Sequence, residues 1–193
     1  MSDSKHILLG VTGGIAAYKA CEIVRLLKKA GHSVSVAMTP AACEFVTPQT
    51  FQALSGESVF TDLGQSQNAM AHINAVRRAD ALVIAPATAN TLAKIACGIA
   101  DNLLTALVAA RGRCPLVLAP AMNGQMWFNP PNQRNIQQLQ QDGVMVLMPN
   151  DGDLACGENA TGRMKEPAEI VDLIEDIWVE KCLAGKKVLI TMG

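Results

Sequence analysis

Apolar and polar positions follow two rhythms along this chain. Short aliphatic runs, each closed by glycine, proline or threonine, alternate with segments in which apolar residues recur every three or four positions. The first rhythm predicts strands buried on both faces, and the second predicts amphipathic helices. Strands are expected at residues 6–11, 33–38, 82–85, 115–119 and 143–148. Helices are expected from the glycine-rich turn at 12–15 to about Ala30, at 49–54, through Leu92, Ile95 and Ala96, at 103–110, at 132–142, and from Pro167 to about Glu180. Gly31-His32 closes the first helix, with His32 a solvated turn residue or a cation at the helix C-terminus. Residues 61–70 read as polar and irregular. Residues 150–164 read as a loop near the upper length for a structureless connection, which suggests a lid.

This alternation predicts an α/β fold: a doubly wound, Rossmann-like (flavodoxin-like), mostly parallel sheet in three layers. The length of 193 residues suits one such domain, assigned to 1–181. The tail from Leu183 reads as a turn and a new strand with no helix to cover it. Residues 182–193 are therefore assigned to a linker and the first strand of a truncated second domain.

The chain is organised around Leu82-Val-Ile-Ala85-Pro86-Ala-Thr-Ala-Asn-Thr91. Four apolar residues make a buried strand, and Pro86, lacking an N–H, is expected to end it. Thr88 or Asn90 then caps the helix after it. The result is a polar hook at a strand's carboxyl end, where open α/β sheets bind ligands. Residues 115–127 repeat the design, with Pro120 and then Asn123. That amide can serve a ligand or cap a helix, the commoner use. Met122, Met126 and Trp127 read as packing. Thr39 ends the second strand and either reaches the ligand served by Thr12 or caps the helix beyond it.

Gly10-x-x-Gly13-Gly14 places glycines where a strand enters a helix. Such a turn either cradles an anion or is a tight turn alone. It is not the G-x-G-x-x-G spacing, and no acidic residue ends the second strand, so there is no NAD signature.

Composition excludes several classes. Net charge is −1, giving no global basic field for nucleic acid or anionic membrane. The apolar runs are too short to span a bilayer, and residues 1–6 lack the apolar region of a signal peptide, so the cytoplasm is expected. Six cysteines, at 21, 43, 97, 114, 156 and 182, form no C-x-x-C pair, so no metal site is expected. Four of them lie in apolar or helical contexts typical of core thiols. Cys156 lies in a glycine-rich loop that no apolar periodicity explains. His72 precedes the central strand and is either structural or catalytic.

Four motifs now stand in order: Gly10 to Lys19, Pro86 to Thr91, Pro120-Ala121-Met122-Asn123-x-x-Met126-Trp127, and Ala155-Cys156-Gly157 with Gly162-Arg163-Met164. With His72 they resemble the flavin-dependent cysteine decarboxylases over residues 5–180. The tail resembles the first strand of a phosphopantothenate–cysteine ligase. The resemblance implies FMN as cofactor, with its phosphate on Thr12, Gly13, Gly14 and Ile15 and Thr39 nearby. Thr88, Ala89, Asn90 and Thr91 would hold the flavin from the other side, helped by Ala121. It implies His72 as base, Asn123 on the substrate carboxylate, and Cys156 as acid on a mobile clamp. Met126, Ala155, Arg163 and Met164 would touch substrate.

The implied reaction is decarboxylation of 4′-phosphopantothenoyl-L-cysteine to 4′-phosphopantetheine and CO2 in coenzyme A biosynthesis. It passes through thioaldehyde and enethiol intermediates and is redox-neutral overall, the cofactor supplying the electron sink. Implied partners are the small-molecule substrate and copies of the same chain, as a trimer built into a dodecamer, with no nucleic acid or membrane. Ala160 and Met192 depart from the family pattern, which has glycine and alanine there. Alternatives are a flavin prenyltransferase, which needs basic residues for a prenyl phosphate, a peptidyl-cysteine decarboxylase, and a non-enzymatic FMN-binding regulator.

Overall fold

The computed structural model describes residues 4–61, 71–153 and 159–179. Among these residues, β1 (His6–Val11), β2 (Ser33–Met38), β3 (Ala81–Ala87), β4 (Leu116–Pro120) and β5 (Met145–Val146) form one parallel sheet in the order β2-β1-β3-β4-β5. The order reverses direction between β1 and β3, so the loops leaving those two strands part and open a crevice.

Both faces of the sheet are covered, as the unbroken aliphatic runs require. Ile7, Leu9, Val11, Val34, Val36 and Val83 face a layer made by α1 (Ala17–Lys29), α3 (Pro48–Ser55) and α9 (Pro167–Glu175). Leu8, Leu82, Ile84, Leu116 and Leu118 face α4 (Ala71–Arg78), α5 (Ala89–Ala96), α6 (Leu103–Ala110) and α8 (Pro130–Gln141). Alternate residues of β1 thus serve opposite cores, the period of two that a strand imposes. In α1 the buried positions are 17, 20, 23, 24 and 27, the period of a helix with one apolar face. Lys28 and Lys29 end that helix with charge that suits its carboxyl dipole.

Caps set the helix starts. Thr88 caps α5, and Asn102 caps α6 in a reciprocal box with Thr105. Thr39 caps the short α2 (Pro40–Cys43). Asn123 caps α7 (Gly124–Phe128).

The amino ends of β1 and β2 carry a polar network. His6 Nδ1 lies 2.8 Å from Ser33 Oγ and its Nε2 lies 3.1 Å from Ser35 Oγ. Ser35 donates to Glu57 at 2.5 Å, so its oxygen is left to accept from His6. His32 sits nearby at 4% exposure, accepting the Lys5 N–H at 3.1 Å and meeting Glu175 at 2.5 Å.

Several expectations are corrected. His32 is not a solvated turn residue; it is buried because α9 packs over it and Glu175 satisfies its second nitrogen. Pro86 does not end its strand. β3 continues to Ala87 through a cis Ala85–Pro86 bond, and its register with β4 shifts between Ile84 and Ala87. The irregularity absorbs the missing donor. Residues 71–78, left without an element by the sequence, form α4. The expected strand at 143–148 is reduced to β5. The expected loop at 150–164 is an antiparallel hairpin of β6 (Asn150–Asp153) and β7 (Asn159–Arg163). Its residues are polar because it lies off the central sheet, so no apolar alternation marked it. The last helix ends at Glu175, not near 180. Residues 182–193, assigned to a second domain, lie outside the described residues.

Candidate functional site

The carboxyl ends of β1 to β4 open into a cleft of about 1010 Å³, at the upper end of the size usual for small-molecule sites. Its floor is a hydrogen-bonded clip. Thr12 Oγ1 donates to the Pro86 carbonyl at 2.7 Å and accepts the Thr88 N–H at 3.2 Å. One buried hydroxyl therefore ties the end of β1 to the end of β3 and fixes the separation of the two loops that leave them. Thr12 is a scaffold of the site: its hydroxyl hydrogen and one of its two acceptor positions are used within the protein, and the residue still lines the cleft.

Above it, residues 13–16 turn into α1. The amides of Gly13, Gly14, Ile15 and Ala16 donate to no acceptor among the described residues. They precede a 13-residue helix whose dipole adds positive potential there. Gly13 has a steric reason: a Cβ would lie 2.5 Å from Ala41 Cβ and 2.8 Å from the Ala41 carbonyl oxygen. The turn can pass the Thr39-Pro40-Ala41 segment only without a side chain.

The second wall comes from β3 and α5. Thr88 caps α5 through Thr91 N–H at 3.4 Å and hydrogen bonds the Thr91 hydroxyl at 3.2 Å. Ala89 is buried, and Asn90 is exposed on the cleft. The third wall leaves β4. Ala121 N–H donates to the Ala87 carbonyl, joining the β4 exit to the β3 exit. Asn123 Oδ1 accepts the Met126 N–H at 2.9 Å. That cap engages the amide oxygen and leaves the NH2 group as donor, so capping and ligand binding are compatible roles for one side chain. Trp127 is buried at 3% exposure and packs, while Met126 is 45% exposed on the cleft rim.

The β6–β7 hairpin closes this wall. The Met122 N–H donates to the Gly162 carbonyl at 3.0 Å. Gly162 has φ of +149°, and a Cβ there would lie 2.3 Å from the Met122 oxygen. Gly124 meets the hairpin as closely, with its absent Cβ 2.7 Å from that of Ala160. Met164 is 1% exposed and roots the hairpin in the core below the cleft.

Among the described residues, charge in the cleft is concentrated in two groups. Lys94 bonds Asp101 at 2.6 Å, and that hydrogen bond holds the Asp101 carboxyl below the usual range. Lys19 reaches both oxygens of Glu166 at 2.9 and 3.0 Å, and Arg163 meets the same carboxylate at 2.7 Å. The Lys19 hydrogen bond is the main reason that the Glu166 carboxyl titrates below its ordinary value. Outside the cleft, burial pushes the thiols of Cys21, Cys43 and Cys114 up, which makes them poor nucleophiles, while Cys97 is exposed.

The structure brings together Thr12, Gly13, Gly14, Ile15, Thr39, Thr88, Ala89, Asn90, Thr91, Ala121, Asn123, Met126, Arg163 and Met164 in one cleft. His72 falls on α4, but its side chain lies outside the described residues, as do Ala155 and Cys156. Sequence reasoning missed Lys19, Lys94 and Asp101 as cleft residues. Lys19 carried a signal, since it stands in the first turn of a helix leaving a glycine-rich loop. Among the described residues no group of three potential metal ligands occurs, and no helix is long and apolar enough to cross a membrane.

Known proteins resemble this chain in sequence and in fold. The profile of the family described as Flavoprotein matches residues 1–178. The coenzyme A biosynthesis bifunctional protein CoaBC of Haemophilus influenzae is 46% identical over 194 residues, covering 99% of this chain and 48% of that protein. Its counterpart in Bacillus subtilis is 46% identical over 198 residues, covering 100% and 48%. The chain thus spans about half the length of the curated relatives it matches. Among solved structures, a cysteine-to-serine mutant of PPC decarboxylase complexed with pantothenoylaminoethenethiol superposes with a TM-score of 0.81 at 33% identity, covering 91% of this chain and 99% of that one. The FMN binding protein AtHal3 superposes with a TM-score of 0.76 at 33% identity, covering 91% and 97%.

Proposed function

The chain belongs to the Flavoprotein family, and from this we infer that it is an FMN-dependent decarboxylase acting on 4′-phosphopantothenoyl-L-cysteine to give 4′-phosphopantetheine and CO2. The observation that carries this reading is the convergence of three separated motifs on one cleft at the β1/β3 switch point, in a sheet order shared with FMN-binding flavodoxins.

The residues present fit FMN. The amides of residues 13–16, which donate to no acceptor among the described residues, suit its phosphate, and the cleft is large enough for a flavin with substrate beside it. The walls formed by Thr88 to Thr91 and by Ala121 would hold it. When bound, the flavin supplies a reversible hydride sink, without which an ordinary cysteine carboxylate has no route to a stabilised carbanion. The NH2 group of Asn123 orients the carboxylate without a full positive charge, which avoids overstabilising the ground state that must lose CO2. His72 is proposed as the base near the substrate thiol, because histidine is the side chain most often used for proton transfer near neutral pH. Cys156 is proposed as the acid that returns a proton to carbon, with Met126, Ala155, Arg163 and Met164 around the substrate. A homo-oligomeric, trimer-based assembly in the cytoplasm, with no nucleic acid or membrane partner, completes the proposal. Residues 182–193 are proposed as the start of a ligase half.

The deciding experiment is incubation of the yellow, flavin-loaded protein with phosphopantothenoylcysteine, with CO2 measured and products resolved by mass. A loss of 44 mass units with CO2 release is expected. A colourless protein that cannot be loaded with FMN would refute the cofactor; a yellow protein with no turnover would favour the regulator reading. Cys156→Ser should complete the oxidative half and accumulate enethiol. Normal product at a normal rate from that variant would refute the acid assignment.

A further inference from the structure

Two ion pairs line the cleft, and they differ in stoichiometry. Lys94 and Asp101 pair one to one and cancel. Among the described residues, Lys19 and Arg163 share the single carboxylate of Glu166, two cations to one anion. The setting of this triplet is unusual for a surface salt bridge. The Lys19 side chain is 12% exposed, lies on the first turn of α1, and has its ammonium fixed by both carboxylate oxygens. Arg163 ends β7, and Glu166 is itself fixed as the N-cap of α9, its N–H bonded to Glu169 at 2.9 Å. Three elements, α1, β7 and the start of α9, thus hold two cations and one anion in a preset arrangement beside the cleft.

Two oxygens bridging an ammonium and a guanidinium is the pattern a phosphate monoester makes with Lys and Arg, and a dianion matches the two cations better than one carboxylate does. The geometry points to a phosphate-monoester subsite built from Lys19 and Arg163, with the Glu166 carboxylate as its resident counter-anion, displaced when the ligand's phosphate arrives. The inference rests on the function proposed above only for the identity of the ligands. Both FMN and phosphopantothenoylcysteine end in a phosphate monoester, and the experiment separates the two sources. A cation left with no anion in an empty site would lose its placement; Glu166 keeps both cations in position and sets the affinity by competing.

Competition gives the test opposite signs. In FMN-loaded protein, 4′-phosphopantetheine and pantetheine are titrated calorimetrically; in apoprotein, FMN and riboflavin are titrated by quenching of flavin fluorescence. The quantity read is the affinity ratio of phosphorylated to unphosphorylated ligand. Lys19→Ala should lower that ratio on the order of tenfold to a hundredfold for one pair, as expected for a lost hydrogen bond between charged partners. Glu166→Gln should raise the same ratio severalfold, because the competitor is gone and both cations remain. Neither variant should change the affinity of the unphosphorylated ligand of that pair. The pair that responds identifies whether the phosphate is the substrate's or the flavin's. A purely structural ion pair gives a different result: both variants then weaken both ligands of each pair alike, or Glu166→Gln weakens the phosphorylated ligand as Lys19→Ala does, and either outcome overturns the subsite. If neither pantetheine compound binds wild-type protein, the proposed substrate is wrong, and the FMN-to-riboflavin ratio still decides the subsite.

Discussion

Replacing Gly162 with alanine should detach the β6–β7 hairpin from the body of the protein without unfolding the body. Gly162 adopts φ of +149°, a region that side chains rarely enter, and placing alanine there costs about 1–3 kcal/mol. The added Cβ would lie 2.3 Å from the Met122 oxygen. Relieving that clash requires a shift of about 1 Å, since ordinary carbon contacts lie near 3.5 Å or beyond. A shift of that size breaks the 3.0 Å bond from Met122 N–H to the Gly162 carbonyl, a further loss of about 1 kcal/mol. The sum is about 2–4 kcal/mol, directed at one joint. Because the hairpin lies off the central sheet, undocking it limits the global loss. Hydrogen exchange read by mass spectrometry should show protection at residues 159–164 and at Met122 falling by roughly thirtyfold to a thousandfold, with β1 and β3 unchanged. Gly112→Ala is the control. Its φ is +59° and nothing lies within 4 Å of its Cβ position, so only a backbone cost of about 1 kcal/mol is expected. If Gly162→Ala and Gly112→Ala give the same exchange and the same substrate KM, the close approach of hairpin and β4 exit does not matter, and the reasoning is refuted.

Thr12→Val keeps the side chain's shape but strands the Pro86 carbonyl and the Thr88 N–H. A loss of about 1–3 kcal/mol in urea denaturation is expected, with Thr12→Ser recovering most of it; equal stability of the two variants would contradict the clip. Gly13→Ala should drive the residue 13–16 turn away from Ala41 and yield folded but colourless protein, seen as lost flavin absorbance with an unchanged circular dichroism spectrum. Acid should act through Glu166. Its carboxyl is held below the ordinary value of 4.5 by Lys19, so its stabilising effect is present above about pH 4.5 and fades as pH falls through the lower folded value. The gap in Tm between wild type and Glu166→Gln should therefore be widest near neutrality and close on acidification. A gap independent of pH would mean that charge at Glu166 contributes nothing.

The central layer was legible because burial on both faces leaves an aliphatic run that no other element needs. The strand ends were legible too, since Thr39, Thr88 and Asn123 serve as caps whose chemistry is local. The features that escaped the sequence depend on partners far along the chain. α4 was hidden because its amphipathic stretch is short, and His32 looked solvated because Glu175 lies 143 residues away. The hairpin was read as a loop because its fit depends on Gly162 and Gly124 meeting a distant segment rather than on alternation. In the site, the motifs identified the walls, yet Lys19 was overlooked because its role is set by Glu166, 147 positions later. Thr12 was read as a ligand residue; the sequence did not show that its hydroxyl also joins two strands, because its partners Pro86 and Thr88 lie more than seventy positions away.

The polar network around His6, Ser33, Ser35 and Glu57 stands at the opposite pole of the sheet from the cleft. Six residues of β1 separate the two poles, about 20 Å at the rise of a strand, against a screening distance of about 8 Å in physiological salt. The poles are electrically deaf to one another. Tags, dyes or surface tethers fixed near Ser4 or Gly31 should leave the ligand end untouched, which makes that pole the natural handle for immobilising this protein in a working state.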